Sequence, residues 1–204
     1  MSDIEAFKSL VREALSPRMR ERGFKGSGQR WVKSNDTGDL CVVGLEIDQG
    51  YEPFEVLFQA GAVPKVWDNW LRGPYSAGSV GEEITKKPMH YHGMDVWTLI
   101  GPGEEIPDFW PVHSPEDAIR YMVSNLGELD RFAEVWLDPQ EARRMVDEGK
   151  FAPYGYLEGN PLTQETALFL MNPPSSDRAK RAGEALLEYH GFKVWETIFS
   201  KTVC

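Results

Sequence analysis

Hydrophobic residues near the start of the chain predict an amphipathic helix. One face of this helix would carry the apolar residues, which recur at intervals of three and four: Ile4, Phe7, Leu10, Val11, Ala14 and Leu15. Ser2 and Glu5 have the spacing of a capping box at the start of the helix. Ser16 and Pro17 predict either a kink or the start of a short second helix.

The segment after this helix predicts a helix end, a turn and a strand. Gly23 suits the left-handed position after the last helical turn, and Phe24 is the apolar residue that packs back on that turn. Gly26 and Gly28 are expected to loosen the chain before a strand begins at Trp31. These glycines follow a helix and lack the spacing of a dinucleotide-binding or phosphate-binding loop, so we interpret them as structural.

Alternating apolar and polar residues then predict an antiparallel meander. A turn rich in Asn, Asp and Gly at residues 35–39 joins the strand at Trp31 to a second strand over residues 40–47. The second and third strands each carry an apolar face, which consists of Cys41, Val43, Leu45 and Ile47, and then Phe54, Val56, Phe58 and Ala60. Three consecutive strands with short links form a sheet whose apolar face the first helix can cover.

The middle of the chain, residues 62–113, is rich in proline and glycine, which predicts that regular structure there is short. A strand is predicted over residues 95–100, where the side chains are strongly β-forming. The rest is expected to form long ordered loops, because its many aromatic residues argue against disorder. Long ordered loops are frequently functional.

Helical patterns dominate from residue 114 onward. Ser114 and Pro115 predict a helix start, and the apolar spacing extends this helix to about Trp136. Three shorter helices are predicted over residues 140–148, 166–171 and 178–189, with Thr163 as a cap of the second and Ser175 or Ser176 as a cap of the third. The Gly-Phe-Lys sequence at residues 191–193 repeats the helix end at Gly23 and leads into an apolar stretch.

Together these elements predict an α+β fold, with an N-terminal helix packed on an antiparallel sheet of about four or five strands and a helical C-terminal half. We assign residues 1–136 to an α+β core that includes the aromatic, acidic loop region at residues 62–113. We assign residues 137–204 to a helical extension packed on this core. In one alternative, residues 193–199 of this extension add a further strand to the sheet.

The charge of the chain is concentrated in its middle. The net charge of the 204 residues is −10, and residues 34–140 alone hold six basic and nineteen acidic side chains. Nucleic acid binding needs a basic surface that replaces condensed counterions, so we predict no nucleic acid partner. No apolar run reaches the roughly 20 residues that cross a bilayer, and the start of the chain lacks a signal pattern. We therefore expect a cytoplasmic protein with no membrane partner.

Aromatic and acidic side chains alternate along the middle region in a way that fits a protein interface. Tryptophan and tyrosine are favoured interface anchors, and surrounding acids steer and orient a basic partner. The candidate partner-binding residues are Trp67, Trp70, Tyr75, Glu82, Glu83, Trp97, Glu104, Glu105, Asp108 and Trp110. Core packing is the competing explanation for the aromatic members of this set.

Histidines provide the one candidate for metal chemistry. His90 and His92 would present two imidazoles on one face if the segment were extended, and His113, with Asp95, could complete a site for a first-row metal. The spacing matches no zinc signature. No glycine-flanked serine, paired helical histidines or placed cysteine nucleophile is present. We predict no cofactor and no catalytic residue.

The N-terminal third of the chain resembles the bacterial domain-of-unknown-function family DUF4304. Four segments carry the resemblance, namely the helix leading to residues 22–25 and the strands at residues 30–33, 42–45 and 58–61. The chain departs from the usual form of the family in Gly44 and in the acidic stretch at residues 46–48. The resemblance implies an α+β fold and provides no catalytic residue to carry over, because the family has no established activity.

Three functional hypotheses follow from the sequence. The first is a non-enzymatic, cytoplasmic protein-binding module, such as an immunity-type inhibitor that neutralises a basic toxin or nuclease. The second is a metal-assisted enzyme that uses His90, His92 and His113. The third is a structural or oligomeric subunit.

Overall fold

A computed structural model describes residues 3–72, 89–153 and 161–190 of the chain. Within these residues the protein has an α+β fold, with N-terminal helices on one face of an antiparallel sheet and helices in the C-terminal half, as predicted. No helix in this part of the chain is both long and apolar enough to cross a membrane. The predicted cap at Ser2 and the predicted strand at residues 193–199 lie outside the described residues.

Among the described residues, six strands form the sheet, and all their pairings are antiparallel. Their bounds are β1 Lys25–Ser27, β2 Arg30–Ser34, β3 Leu40–Asp48, β4 Glu55–Val63, β5 Asp95–Thr98 and β6 Trp110–Pro111. The order is β1-β2-β3-β4-β5, and β6 also pairs with β4. The predicted meander of three strands is thus confirmed as β2, β3 and β4.

The two short strands β5 and β6 share one edge of β4. Thr98 of β5 lies opposite Gln59, and Trp110 of β6 lies opposite Val56, nearer the start of β4. Both strands run antiparallel to β4, so they form one edge strand that a loop over residues 99–109 interrupts. Charged or interrupted edges protect a sheet from pairing with another chain. The loop therefore begins and ends in the middle of this edge of the sheet.

The N-terminal helical segment continues through Ser16 and Pro17 without a break. Helix α1, Asp3–Leu10, leads into a π-helical turn, Val11–Leu15, and then into α2, Ser16–Glu21. Proline has no N–H to donate, and its ring clashes with the carbonyl four residues earlier in a regular helix. A wider turn, in which the Ser16 N–H bonds to the carbonyl of Val11, accommodates the proline without ending the helix.

The end of α2 has the predicted cap. Gly23 has φ +84°, its N–H bonds to the carbonyl of Arg20 at 3.0 Å, and the Phe24 N–H bonds to the carbonyl of Met19 at 3.1 Å. These two bonds define a Schellman motif. Phe24 is buried in the core, which confirms the apolar contact that the sequence predicts.

The interpretation of the glycines after this cap as a loosened loop is wrong. Residues Lys25–Ser27 form β1, which pairs with β2 through a two-residue turn at Gly28 and Gln29. Gly26 has φ +129°, and a Cβ there would lie 2.3 Å from the carbonyl oxygen of Arg30. Glycine is therefore required because the two strands approach closely at this point.

One face of the sheet, which we call the first face, packs against the N-terminal helices and against α4, Pro115–Leu137. Ser114 caps α4 by accepting a hydrogen bond from the Asp117 N–H at 3.2 Å, as its sequence predicts. Buried side chains from the sheet fill this interface and include Trp31, Cys41, Val43, Leu45, Val56, Phe58 and Ala60. The alternation predicted for the second and third strands thus describes a buried face.

A second apolar cluster joins the C-terminal helices to the end of β4 and to α3, Lys65–Leu71. The helices are α5 Pro139–Asp147, α6 Pro161–Met171 and α7 Asp177–His190. Ser176 caps α7 as predicted, because its Oγ accepts the Ala179 N–H at 3.1 Å. Thr163 lies inside α6 and is buried, so its predicted role as a cap is wrong. Helix α3 falls in the region that the sequence predicts as loop, because seven residues are too few for a clear helical period.

Asp95 connects β5 to α4 and to the segment that follows α5. One carboxylate oxygen accepts the Trp136 Nε1–H at 2.8 Å, and the other accepts the Ala152 N–H at 2.7 Å. The Val96 N–H in turn donates to the carbonyl of Ala152 at 3.1 Å. Burial raises the pKa of the Asp95 carboxyl, and the bonds from Ala152 and Trp136 oppose this shift.

Asp95→Asn is expected to lower the free energy of unfolding by about 1–3 kcal/mol, because an amide has one oxygen and loses one of the two charge-assisted bonds from Trp136 and Ala152. Urea denaturation followed by circular dichroism measures this change. The matched control is Asp36→Asn, at an exposed position of the turn between β2 and β3. Equal stabilities for the two variants would contradict the role assigned to Asp95.

Candidate functional site

The other face of the sheet, the second face, carries a row of three polar residues and one glycine across four strands. The strand registers place Arg30 opposite Gly44, Gly44 opposite Gln59, and Gln59 opposite Thr98. Directly opposed residues in antiparallel strands point to the same face. Their neighbours in sequence, such as Trp31, point to the first face and fill the core. The polar members of this row therefore lie together on the second face.

A 3₁₀ turn, His90–His92, lies directly on this second face. Two strand glycines make room for it. A Cβ at Gly44 would lie 2.1 Å from the His90 Nδ1, and a Cβ at Gly61 would lie 1.9 Å from the His90 carbonyl oxygen. Any side chain at either glycine would displace the turn, so both glycines are needed for this close approach.

His90 forms a hydrogen-bonded pair with Glu46 on β3. The His90 Nε2 lies 2.8 Å from the Glu46 Oε1, and the histidine side chain is 2% exposed. The bond from His90 lowers the pKa of Glu46, and burial partly opposes this shift. An ionised carboxylate only accepts hydrogen bonds, so the His90 Nε2–H donates to Glu46 in this pair.

Two buried ring or amide atoms on this face have no hydrogen-bond partner among the described residues. They are the His90 Nδ1 and the Gln59 Oε1, while the Gln59 Nε2 donates to Thr98 at 3.0 Å. Buried polar atoms without a partner are rare in folded proteins and frequently mark sites of water or ligand binding. A groove of about 470 Å³ lies beside His90 and is lined by Gln29, Arg30, Gly44, Leu45, Glu46, Ile47, Met89 and Tyr91.

His92 has a structural role in the same turn. Its side chain is 1% exposed, its Nδ1 accepts the Met89 N–H at 3.4 Å, and its carbonyl accepts the Trp67 Nε1–H at 3.0 Å. Burial lowers the pKa of His92 to about 4, and the nearby Arg72 guanidinium contributes to the shift. His92 is therefore neutral over the physiological pH range and anchors the turn to α3.

The three histidines do not assemble as the sequence predicts. The segment at residues 90–92 is a 3₁₀ turn instead of an extended strand, and His113 is exposed next to the start of α4. Among the described residues, no group of three or more histidine, cysteine, aspartate or glutamate side chains could hold a metal ion. Cys41 is buried on the first face, and burial raises its thiol pKa to about 12.

The structure divides the predicted aromatic anchors into different environments. Trp67 is 0% exposed and Trp110 is 2% exposed, so these two side chains are core residues that cannot contact a partner in this conformation. Trp70 and Trp97 are partly buried and pack against the two apolar clusters. The remaining candidates at Tyr75, Glu82 and Glu83 lie outside the described residues.

The predicted acids Glu104, Glu105 and Asp108 lie together in the loop that interrupts the edge strand. We call residues 102–108 the acidic loop, and every residue in it is exposed. Ile106, between the acids, is 63% exposed. Exposed acids flanking an exposed isoleucine are the combination that a protein interface uses for steering and for apolar contact.

The base of the acidic loop is held by specific contacts. A Cβ at Gly101 would lie 2.4 Å from the side chain of Trp110, so the two ends of the loop touch. The Tyr121 hydroxyl of α4 donates to the Ile100 carbonyl at 2.9 Å, and the Tyr121 ring packs edge-on against Trp110. Trp110 is thus a buried residue that holds the two ends of the loop together. The sequence instead predicted that Trp110 contacts a partner.

Comparison of the chain with protein-family models, with curated proteins and with solved structures gives no match. The resemblance of the N-terminal third to DUF4304 therefore stays a prediction. Sequence reasoning did not assign Arg30, Gly44 and Glu46 to a site. A glycine inside a strand is the signal that could have indicated it, because such glycines frequently mark a close backbone approach.

Gly44→Ala is expected to displace His90 and break its bond to Glu46, because the added methyl overlaps the imidazole. We expect a loss of about 1–3 kcal/mol in the free energy of unfolding, the usual cost of overpacking. The control is Gly127→Ala on α4, where a Cβ meets no atom within 4 Å. That substitution should be stabilising by about 0.5–1 kcal/mol. Urea denaturation of both variants tests the prediction, which equal effects would refute.

Protonation of His92 is expected to destabilise the protein. Its pKa is about 4 in the folded state and 6.5 ordinarily, so the unfolded state binds the proton more readily between these values. Stability is unaffected above pH 6.5 and falls as the pH decreases toward 4, by about 3 kcal/mol from this group. His92→Asn keeps an acceptor for the Met89 N–H and removes the titration. Urea denaturation across this pH range should show a shallower decline for the variant than for the unaltered chain.

Proposed function

We propose that this protein is a non-enzymatic binding module that holds a basic protein partner through its acidic loop. The observation that supports this most directly is Ile106, an exposed apolar side chain flanked by Glu104, Glu105 and Asp108 on a loop with a fixed base. A preorganised loop loses little conformational entropy when it binds. The acids would steer a basic partner, and Ile106 would occupy an apolar depression on it.

The charge of the chain supports a basic partner. Residues 34–140 carry a net charge of −13, and the acidic loop extends from the sheet within that region. An excess of charge of one sign raises the association rate of an oppositely charged protein. Neutralisation of a basic toxin or nuclease, as an immunity-type inhibitor in the cytoplasm, is the specific form of the proposal.

The metal-assisted alternative has less support from the described residues. His90 is engaged with Glu46, His92 accepts a backbone N–H, and His113 is exposed elsewhere. Metal binding by these three histidines would require the 3₁₀ turn to leave the two glycines that accommodate it. The third hypothesis is a structural or oligomeric subunit. A mass that increases with protein concentration, measured by light scattering, would support it.

Charge reversal tests the acidic loop directly. We expect Glu104→Lys, Glu105→Lys and Asp108→Lys together to weaken binding of the natural partner at least about tenfold, since each rim charge contributes to steering and orientation. The partner is first captured from cells that encode this protein and identified by mass spectrometry. The dissociation constant of the purified pair is then measured at several salt concentrations.

The matched control carries Asp36→Lys, Glu128→Lys and Glu134→Lys, which alter charge by the same amount at exposed positions outside the loop. Ile106→Ala tests the apolar contact with no change of charge. Thermal unfolding should be nearly the same for all these variants, because the altered side chains are exposed. Equal weakening by the loop and control triples, or capture of no basic protein, would contradict the proposal.

A further inference from the structure

We propose that residues 49–53, which lie between β3 and β4 and which we call the hairpin turn, are a second contact surface for the basic protein partner. There Tyr51 and Glu52 together bind an arginine side chain of that partner. Tyr51 is 61% exposed, and Glu52 beside it is exposed too. The inference rests on the proposed function for the kind of partner, but it uses residues outside the acidic loop.

The large exposed hydrophobic side chains of the described residues all lie near β4. They are Tyr51, Ile100 and Ile106. The two isoleucines belong to the loop that interrupts the edge beside β4, and Tyr51 belongs to the turn that leads into β4. Tyrosine is enriched at protein interfaces, where it provides a large contact area. Tyr51 is therefore a candidate anchor on the same side of the strand order as the acidic loop.

The hairpin turn is close enough to the acidic loop for one partner to reach both. Trp110, where the chain returns from the loop, lies opposite Val56. Tyr51 precedes Val56 by five residues, so the Cα atoms of these two residues are at most about 18 Å apart. A standard interface buries about 800 Å² on each protein, which is a patch roughly 30 Å across. One interface of ordinary size can therefore include both surfaces.

The acidic charge of the hairpin turn has no counterion on its own hairpin. Residues 40–64 include four acidic residues and no lysine, arginine or histidine. Two of these acids have partners, because Glu46 is bonded to His90 and Asp48 accepts the Gly50 N–H at 2.7 Å. Neither Tyr51 nor Glu52 has a hydrogen bond, an ion pair or a ring contact with another described residue. The Tyr51 ring and the Glu52 carboxylate are therefore available to an external cation.

The chain is held in place on both sides of Tyr51. The bond from Gly50 to Asp48 fixes the start of the turn. Phe54, which follows the turn, is buried and packs edge-on against Phe7 of α1, with ring centroids 5.4 Å apart. The Phe54 carbonyl accepts the Val112 N–H at 2.9 Å. A turn that is fixed at both ends loses less conformational entropy when it binds a partner.

Arginine is the basic side chain that suits these two groups best. A guanidinium is planar and stacks on an aromatic ring, and its N–H groups can donate to a carboxylate at the same time. Adjacent residues have Cα atoms about 3.8 Å apart, so one arginine can reach both Tyr51 and Glu52. The ammonium of lysine is compact and strongly hydrated, and it gains less from the ring.

Site-specific crosslinking tests the position of the contact. The photoreactive residue p-benzoylphenylalanine replaces Tyr51, Ile106 or Asp36 in the full chain, one at a time, in cells that encode this protein. Asp36 is the control, because its turn lies at the other end of β3, roughly 27 Å away along the strand. We expect the replacements of Tyr51 and Ile106 to crosslink to the same basic protein, and the replacement of Asp36 to give no crosslink.

Affinity measurements with that protein, once purified, test the chemistry of the contact. Tyr51→Ala should weaken binding at least about tenfold, and Tyr51→Phe should leave it nearly unchanged, because stacking requires the ring and not the hydroxyl. Glu52→Gln should weaken binding at least about twofold. Gln49→Ala, at an exposed and uncharged position of the same turn, is the matched control. Thermal unfolding should be nearly the same for all four variants, because the altered side chains are exposed.

The outcomes separate this inference from the proposed function. A crosslink from Ile106 without one from Tyr51 would overturn the role of the hairpin turn and leave the acidic loop as the contact surface. A crosslink from Tyr51 alone would support the hairpin turn and contradict the role of the acidic loop. Equal loss of affinity in Tyr51→Phe and Tyr51→Ala would exclude stacking on the ring and overturn the proposed arginine contact.

Discussion

The pairing of β3 with β4 is the constraint on which the other elements depend. Nine residue pairs, from Leu40 with Val63 to Asp48 with Glu55, hold these two strands in one register. The sheet grows outward from this pair, because β2 adds to β3 and both β5 and β6 add to β4. A slip of one residue would exchange the two faces of the sheet, and would expose the residues that pack against the N-terminal helices.

The two faces of this strand pair have different chemical roles. On the first face, large apolar side chains such as Phe58 interdigitate with the helices and provide the main hydrophobic stabilisation. On the second face, the same two strands omit side chains at Gly44 and Gly61, so that the 3₁₀ turn can approach the backbone. Glycine in a strand weakens the strand, and here that cost is offset by the burial of His90 and His92.

The acidic loop lies at the edge of β4, where strand pairing is interrupted. Edge strands have unpaired backbone groups that can bind another chain, and β5 and β6 cover this edge at both ends of the loop. Between them the chain leaves the sheet, and Trp110 and Tyr121 hold the base of the loop. Trp110 is therefore a core residue that also holds the base of the acidic loop.

Local sequence patterns were sufficient to predict much of the fold. The Schellman cap at Gly23, the buried alternation on β3 and the start of α4 at Ser114 are all decided by interactions within a few residues, and all are confirmed. Patterns of this kind could not predict the very short elements, such as α3 and β1. A helix of seven residues or a strand of three is stabilised by its tertiary neighbours and not by its own propensity.

For the candidate sites, the sequence alone determined the residue types and the concentration of acidic charge, including the acids of the loop. Only the tertiary structure decided which of these residues come together. Trp67 and Trp110, which the sequence predicted as partner-binding residues, are buried in the core. His90 pairs with Glu46, which lies 44 positions earlier in the chain. The physical reason is that strand register and close packing determine contacts between distant residues, and neither leaves a mark in local periodicity.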